Sequence, residues 1–153
     1  LKVCHYRRSL PARRREGRIK MAKKDFVHTQ GKRKLAVARA TLTQGTGKVT
    51  VNGLYLHNYG TELLRTRISE PLVLAGEAAE KLNFEIRVHG GGINGQADAV
   101  RLAIARALVE HQPKLKKTFD DYDRLLLVAD VRRKETRKPN DSKARAARQK
   151  SYR

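Results

Sequence analysis

The chain has 153 residues and a formal charge of +20, from 35 Lys and Arg against 15 Asp and Glu. A single cysteine, Cys4, excludes a disulfide framework or a cysteine-based zinc site within one chain. The length suits one domain, and the longest strictly apolar run, Leu125–Ala129, is far too short to span a bilayer.

The charge is unevenly placed. Residues 1–24 hold ten basic residues and one acid, residues 25–130 hold fifteen and twelve, and residues 131–153 hold ten and two. A nearly neutral domain over 25–130 thus carries a basic N-terminal extension, 1–24, and a basic C-terminal tail, 131–153. Arms of this density repel themselves in water, and phosphate neutralises them with release of counterions. A membrane-surface arm is the other option, but it would want an amphipathic helix with Trp, Phe or Leu on one face, and the tail has no Leu, Ile or Phe. His5, His28, His57, His89 and His111 are scattered without metal-ligand spacing. No apolar stretch follows the basic N-terminus, so no secretory signal is visible and a cytosolic, reducing setting is expected.

Leu1–Lys20 is Arg-rich and broken by Pro11, and three readings stay open. It is a basic arm, an organellar targeting peptide, or sequence ahead of a start at Met21. The codons of Arg15-Glu16-Gly17 can be purine-only and resemble a ribosome-binding site, which favours the third reading.

Along the domain, Lys34–Leu42 alternates, with Leu35 and Val37 on one side and Ala36, Ala38, Ala40 and Leu42 on the other, and predicts a strand. Gln44-Gly45-Thr46-Gly47 turns the chain and Lys48–Val51 returns. Asn52-Gly53 between Val49/Val51 and Leu54/Leu56 predicts a two-residue hairpin, because both residues tolerate positive φ. Ser69-Glu70-Pro71 predicts a helix start, Ser as cap and Pro in the first turn, with Leu72, Val73, Ala75, Ala79 and Leu82 buried. Phe84, Ile86 and Val88 alternate with Glu85, Arg87 and His89, a half-buried strand. Gln96–Glu110 predicts a helix with Val100, Ile104, Ala107, Leu108 and His111 on one side. The pairs Asp98–Arg101 and Arg106–Glu110 are spaced to meet along its surface. Pro113 ends it. Leu115–Tyr122 predicts a short helix, and Leu125–Ala129 a short buried segment. Strands mixed with two main helices indicate an α+β class, a sheet with helices packed on one side.

The loop Gly90-Gly91-Gly92-Ile93-Asn94-Gly95-Gln96 lies between a strand and a helix and fits G-x-G-x-x-G. That fingerprint also needs an acid at the tip of the next parallel strand, about twenty residues on, and Glu110 there falls in the helix. Gly90 and Gly95 also have P-loop spacing, but Gln96-Ala97 stands where Lys-Ser/Thr must contact phosphate and magnesium. The loop is therefore a tight turn whose free backbone N–H groups can also take an RNA phosphate. Asp120, Asp121 and Asp123 sit beside Lys116, Lys117 and Arg124 as a self-neutralising patch, and no nucleophile context is present. No enzyme and no cofactor is expected.

Several motifs occur in a telling order: Gly31-Lys32-Arg33-Lys34-Leu35-Ala36-Val37-Ala38-Arg39; Gly45-x-Gly47 with Val51-Asn52-Gly53; Glu70-Pro71-Leu72; Gly90-Gly91-Gly92 through Leu108; Tyr122-Asp123-Arg124; Leu126-Leu127-Val128-x-Asp130-x-Arg132-Arg133; and Ala144-Arg145 through Gln149-Lys150-Ser151-Tyr152-Arg153. Together they resemble the small-subunit ribosomal protein nine family, over about residues 27–153. The Lys-Ser-Tyr-Arg ending is similar to the archaeal and eukaryotic branch, and the length to its archaeal members. The resemblance implies an α+β domain of the ribosomal-protein-five second-domain type with extended basic arms. It implies a cytoplasmic place in the ribosome, small-subunit rRNA and neighbouring head proteins as partners, and no membrane. It further implies a C-terminal arm whose tip meets the anticodon stem-loop of peptidyl-site tRNA. On that footing Lys32, Arg33, Lys34, Arg39, Arg132, Arg133, Arg145 and Arg148 are expected to meet rRNA phosphates. The loop residues Gly91, Gly92, Gly95 and Gln96 are expected at the rRNA, and Lys150, Ser151, Tyr152 and Arg153 at the tRNA.

Overall fold

The computed structural model describes residues 26–137, Pro139 and Lys143–Arg145. The expected N-terminal extension, together with Arg148 and the Lys150–Arg153 tip, lies outside the described residues.

Among the described residues, five strands and four α-helices follow in the order β1 (Phe26–Arg33), β2 (Ala36–Gln44), β3 (Val49–Val51), β4 (Leu54–Tyr55), α1 (Glu62–Ala75), α2 (Glu77–Glu80), β5 (Leu82–His89), α3 (Ile93–His111) and α4 (Leu115–Tyr122). The sheet order is β1-β2-β5-β3-β4. All neighbours are antiparallel except β5 and β3, which are parallel. The α3 helix lies across β1, β2 and β5, and α1 packs on α3. The expected α+β class with helices on one side of the sheet is what forms.

Alternation on β2 and β5 builds the core. Ala36, Ala38, Ala40 and Leu42 on β2 and Leu82, Phe84, Ile86 and Val88 on β5 are buried under the helices, while their neighbours face away. The small side chains of β2 let α3 approach closely, and α3 answers with Ala97, Ala99, Val100, Ala103, Ile104, Ala107 and Leu108. Its buried surface is broader than one stripe, and His111 is exposed rather than buried.

The strand expected over Lys34–Leu42 forms as β2 but starts two residues later, at Ala36. Lys34 and Leu35 form the turn, closing with Arg33 opposite Ala36, and residues 26–33 become β1. That strand has little apolar signal of its own. Pairing with β2 on one side and packing under α3 on the other make it. The Lys48–Val51 segment does not return along β2. The β5 strand lies between them, and β3 bonds to β5 through Phe84 N–H to Lys48 O at 2.8 Å and Asn52 N–H to Ile86 O at 2.8 Å. The Asn83 side chain holds the intervening loop by accepting from the N–H groups of Thr46 and Lys48 at 2.9 and 3.1 Å. The Asn52-Gly53 hairpin forms as expected, with φ of 50° and 81° and Val51 opposite Leu54.

Helix α1 starts at Glu62, several residues ahead of the expected Ser69 cap, and runs through Pro71. Ser69 is no cap, since its hydroxyl donates to Thr66 O at 2.9 Å within the helix. The stripe Leu64, Ile68, Pro71 and Ala75 is buried, whereas Val73 is exposed and Leu82 belongs to β5. A proline inside a helix costs about 3 kcal/mol. Burial of three or four apolar side chains at about 1.5–3 kcal/mol for each large one outweighs it.

Helix α4 spans the expected residues and anchors through Phe119, which is fully buried. The segment after it is a 3₁₀ turn, Arg124–Leu126, in which Leu126 alone is fully buried. Leu125 and Val128 are exposed, so the expected buried run reduces to one anchoring side chain.

Candidate nucleic-acid interface

Among the described residues, no helix lies on the second face of the sheet. Cross-strand register arranges its side chains in rows. Lys32, Val37 and His89 form one row; Gln30, Arg39 and Arg87 the next; His28, Thr41 and Glu85 a third; Phe26, Thr43 and Asn83 the last. The cations gather at the end of the sheet where the β1–β2 turn and the Gly90–Gly92 loop lie. A shallow hollow on this face is lined by Thr41, Thr43, Lys48, Thr50, Glu85 and Arg87, among others.

Of the predicted site residues, Lys32 and Arg39 are exposed on this face. Lys34 sits at the tip of the β1–β2 turn with φ of 54°. Positive φ costs a residue with a side chain roughly 1–2 kcal/mol in the left-handed region, and Lys34 keeps it while projecting a cation into solvent. Leu35 beside it is 80% exposed.

Arg33 points the other way. Its guanidinium bonds to Asp130 and lies 3.5 Å from Asp98, which also holds Arg67 at 3.3 Å. Arg101 is paired with Glu70 at 2.5 Å and with Asp123 at 3.0 Å. The expected pairs within α3 do not form. Asp98 and Arg101 reach other elements, and Arg106 donates to Leu127 O at 3.0 Å and to Gln30 O at 2.8 Å. These ties join β1, α1, α3 and the segment that leads into the tail.

Asp130 stands at the root of that tail. Its carboxylate accepts the backbone N–H of Arg132 at 2.8 Å as well as the Arg33 bond. The Arg132 N–H, and then the charge of Arg33, hold the Asp130 carboxyl below the usual carboxylate range against partial desolvation. Arg132 and Arg133 follow as exposed residues beside Lys34 and Leu35, with which they line one groove. Arg145 is exposed and makes a two-pronged bond to Glu135, at 2.9 and 3.0 Å from its Nε.

The glycine loop divides by function of its backbone. Gly91 has φ of 68°, and a Cβ there would lie 2.8 Å from Ala36 N; one at Gly90 would lie 2.7 Å from Leu35 O. The loop is thus pressed against the start of β2. Gly92 caps α3 with ordinary φ and nothing within 4 Å of a built Cβ, and Gly95 would make only ordinary contacts. The Gln96 side chain turns back into the loop, donating to Gly90 O at 3.2 Å and meeting the Tyr59 hydroxyl at 3.4 Å. The backbone N–H groups of Ile93, Asn94 and Gly95 open the first turn of α3.

The alternation of Glu85, Arg87 and His89 marked a polar side of β5 but not its neighbours. Arg87 and Lys48 therefore escaped notice as members of the cationic face, and Asn83 as the brace of the β2–β3 loop. Among the described residues, no group of three or more His, Cys, Asp and Glu is placed to hold a metal, and no helix is long and apolar enough to cross a membrane.

Fold and surface define a class: a small basic α+β protein, helix-covered on one side of its sheet and cationic on the other. The chain belongs to a ribosomal protein family. The model described as "Ribosomal protein S9/S16" matches residues 31–153. Among similar curated proteins, the small ribosomal subunit protein uS9 of Thermoplasma volcanium is 48% identical over 131 residues, covering 84% of this chain and 99% of the relative. The protein of the same name from Thermoplasma acidophilum is 49% identical over 127 residues, covering 82% and 98%. That from Methanococcus maripaludis is 47% identical over 131 residues, covering 83% and 98%. All three organisms are archaea.

Proposed function

We propose that this chain is a structural constituent of the small ribosomal subunit, seated in its head on small-subunit rRNA in the cytoplasm beside neighbouring head proteins. The match across residues 31–153 to the ribosomal family carries this reading. The protein's work is positioning rather than bond chemistry. Exposed Lys32, Lys34, Arg39, Arg132 and Arg133 neutralise rRNA phosphates, and Arg33 contributes whatever donors Asp98 and Asp130 leave. Gly91, Gly92 and Gly95 offer backbone N–H groups around the α3 N-terminus, whereas Gln96 spends its backbone N–H on Gly92 O at 2.9 Å and its side-chain amide on Gly90 O, and so serves the RNA by holding the loop in shape. The domain, residues 25–130, thus seats the protein, and the tail from residue 131 follows the RNA through Arg145 and Arg148. Each phosphate contact adds roughly 0.7–0.9 to the salt slope and carries little sequence information.

The tip, Lys150-Ser151-Tyr152-Arg153, reaches the anticodon stem-loop of peptidyl-site tRNA. Arg153 brings a guanidinium fork for phosphate, Lys150 a point charge, and Tyr152 a ring able to stack on a base. Contacts of this kind hold every elongator tRNA alike. Small subunits carrying a chain that lacks Lys150–Arg153 should assemble normally and bind peptidyl-site tRNA more weakly. Equal tRNA binding across a salt titration would remove the tip from the proposal. Failure of the intact chain to co-sediment with small subunits in high salt would remove the ribosomal role.

A further inference from the structure

We propose that the helix-free face of the sheet is itself a docking surface for the backbone of double-helical RNA, with the cross-strand pair Arg39 and Arg87 as its phosphate clamp. The inference deepens the RNA-binding reading above and rests on it.

Three observations carry it. First, Arg39 on β2 and Arg87 on β5 are direct register partners, so their Cβ atoms stand about 5 Å apart. Like charges directly opposite one another destabilise a sheet. Glu85 relieves one of them, at 3.1 Å from Arg87, and no acid is among the register partners of Arg39. A polyanion laid across both strands would turn this repulsion into attraction. Second, the cations Lys32, Arg39 and Arg87 and the ring of His89 occupy adjacent rows at one end of the face. That end adjoins the turn bearing Lys34, next to which Arg132 and Arg133 leave the domain. The charge of the sheet and that of the tail root therefore form one continuous track. Third, the central strands β2 and β5 present only Val37, Arg39, Thr41, Thr43, Asn83, Glu85, Arg87 and His89 on this face, and the exposed ring of Phe26 stands on edge strand β1 in the row farthest from the cations. Single-stranded RNA is held by aromatic stacking platforms, which these central strands lack. Short polar side chains and guanidinium groups suit phosphates and 2′-hydroxyls presented by a rigid helix.

The test uses the full chain and its Arg39→Gln/Arg87→Gln double variant. Two probes are titrated over a range of salt: an RNA duplex of about 20 base pairs, long enough for a domain-sized site, and poly(U). The variant should lose about two from the duplex salt slope, with little change on poly(U), which the arms can bind alone. Its thermal midpoint in the absence of RNA should hold or rise, since a like-charge pair has been removed. An unchanged duplex slope would overturn the proposal and leave an acidic protein surface as the occupant. An equal loss on both probes, or a loss of binding that tracks a lowered midpoint, would overturn it as well. If the unaltered chain bound neither RNA, the failure would lie with the ribosomal reading and not with this surface alone.

Discussion

Gly31 of β1 lies directly beneath Ala99 of α3, so close that a Cβ built on Gly31 would stand 2.0 Å from the Ala99 carbonyl oxygen and 2.8 Å from Ala103 N. Both obstacles are helix backbone, which has no rotamer to give way. The Thr29 hydroxyl donates to Ala103 O at 2.8 Å in the same seam. Strand and helix meet here without a side chain between them.

Gly31→Ala must therefore lift α3 from the sheet. Overpacking costs typically 1–3 kcal/mol and more where nothing can move, so a loss of about 3 kcal/mol or more is expected in denaturant unfolding. Gly92→Ala is the control, with ordinary φ and no atom near the new methyl; as a change at the cap of α3 it should cost no more than about 1 kcal/mol. A Gly31→Ala protein as stable as the Gly92→Ala protein would refute the close approach.

Pro71→Ala is expected to stabilise the fold. The alanine N–H can donate to the Arg67 carbonyl, recovering about 3 kcal/mol of helix energy. Against this stands the loss of roughly two buried methylenes at about 0.8 kcal/mol each. The difference, a gain of about 1 kcal/mol, should appear as a higher thermal midpoint. A lowered midpoint would mean that the ring packs against α3 more tightly than this balance allows.

Asp130 couples stability to pH. Its folded-state carboxyl is held low by the Arg132 N–H and by Arg33, while in the unfolded chain it titrates near the ordinary aspartate value of about 4. Its contribution is therefore complete above that value and is lost as pH falls below it towards the depressed folded value. Asp130→Asn keeps an acceptor but not the charge. The stability gap between parent and variant, measured by urea unfolding, should be open at pH 7 and narrow progressively as the pH falls below about 4. A gap independent of pH would show that the charge of Asp130 contributes nothing.

How far the fold was legible depended on how local its causes are. The Asn52-Gly53 hairpin, the alternation of β5 and the span of α4 each rest on residues within one element, and they stand where expected. The start of α1 did not, because Ser69-Glu70-Pro71 imitates a cap while the stripe Leu64, Ile68, Pro71 and Ala75 acts only once α3 is there to receive it. Strand β1 has almost no signal, since its buried position is a glycine, and it becomes a strand by pairing with β2. The place of β5 between β2 and β3 depends on chain separated by dozens of residues and leaves no local trace.

The same division governs the site. Composition and order of residues by themselves determined that a near-neutral domain carries its charge in basic segments, and the glycine loop lacked what a nucleotide enzyme needs. Only the tertiary structure decided which cations are free to meet a partner. Arg33 and Arg39 are both basic strand residues six positions apart, equal by sequence pattern. Register and the approach of α3 give Arg33 to Asp98 and Asp130, and set Arg39 opposite Arg87 on the open face. Charge is a property of each residue, but its neutralisation depends on distances between elements, and those exist only after the sheet and helices have packed.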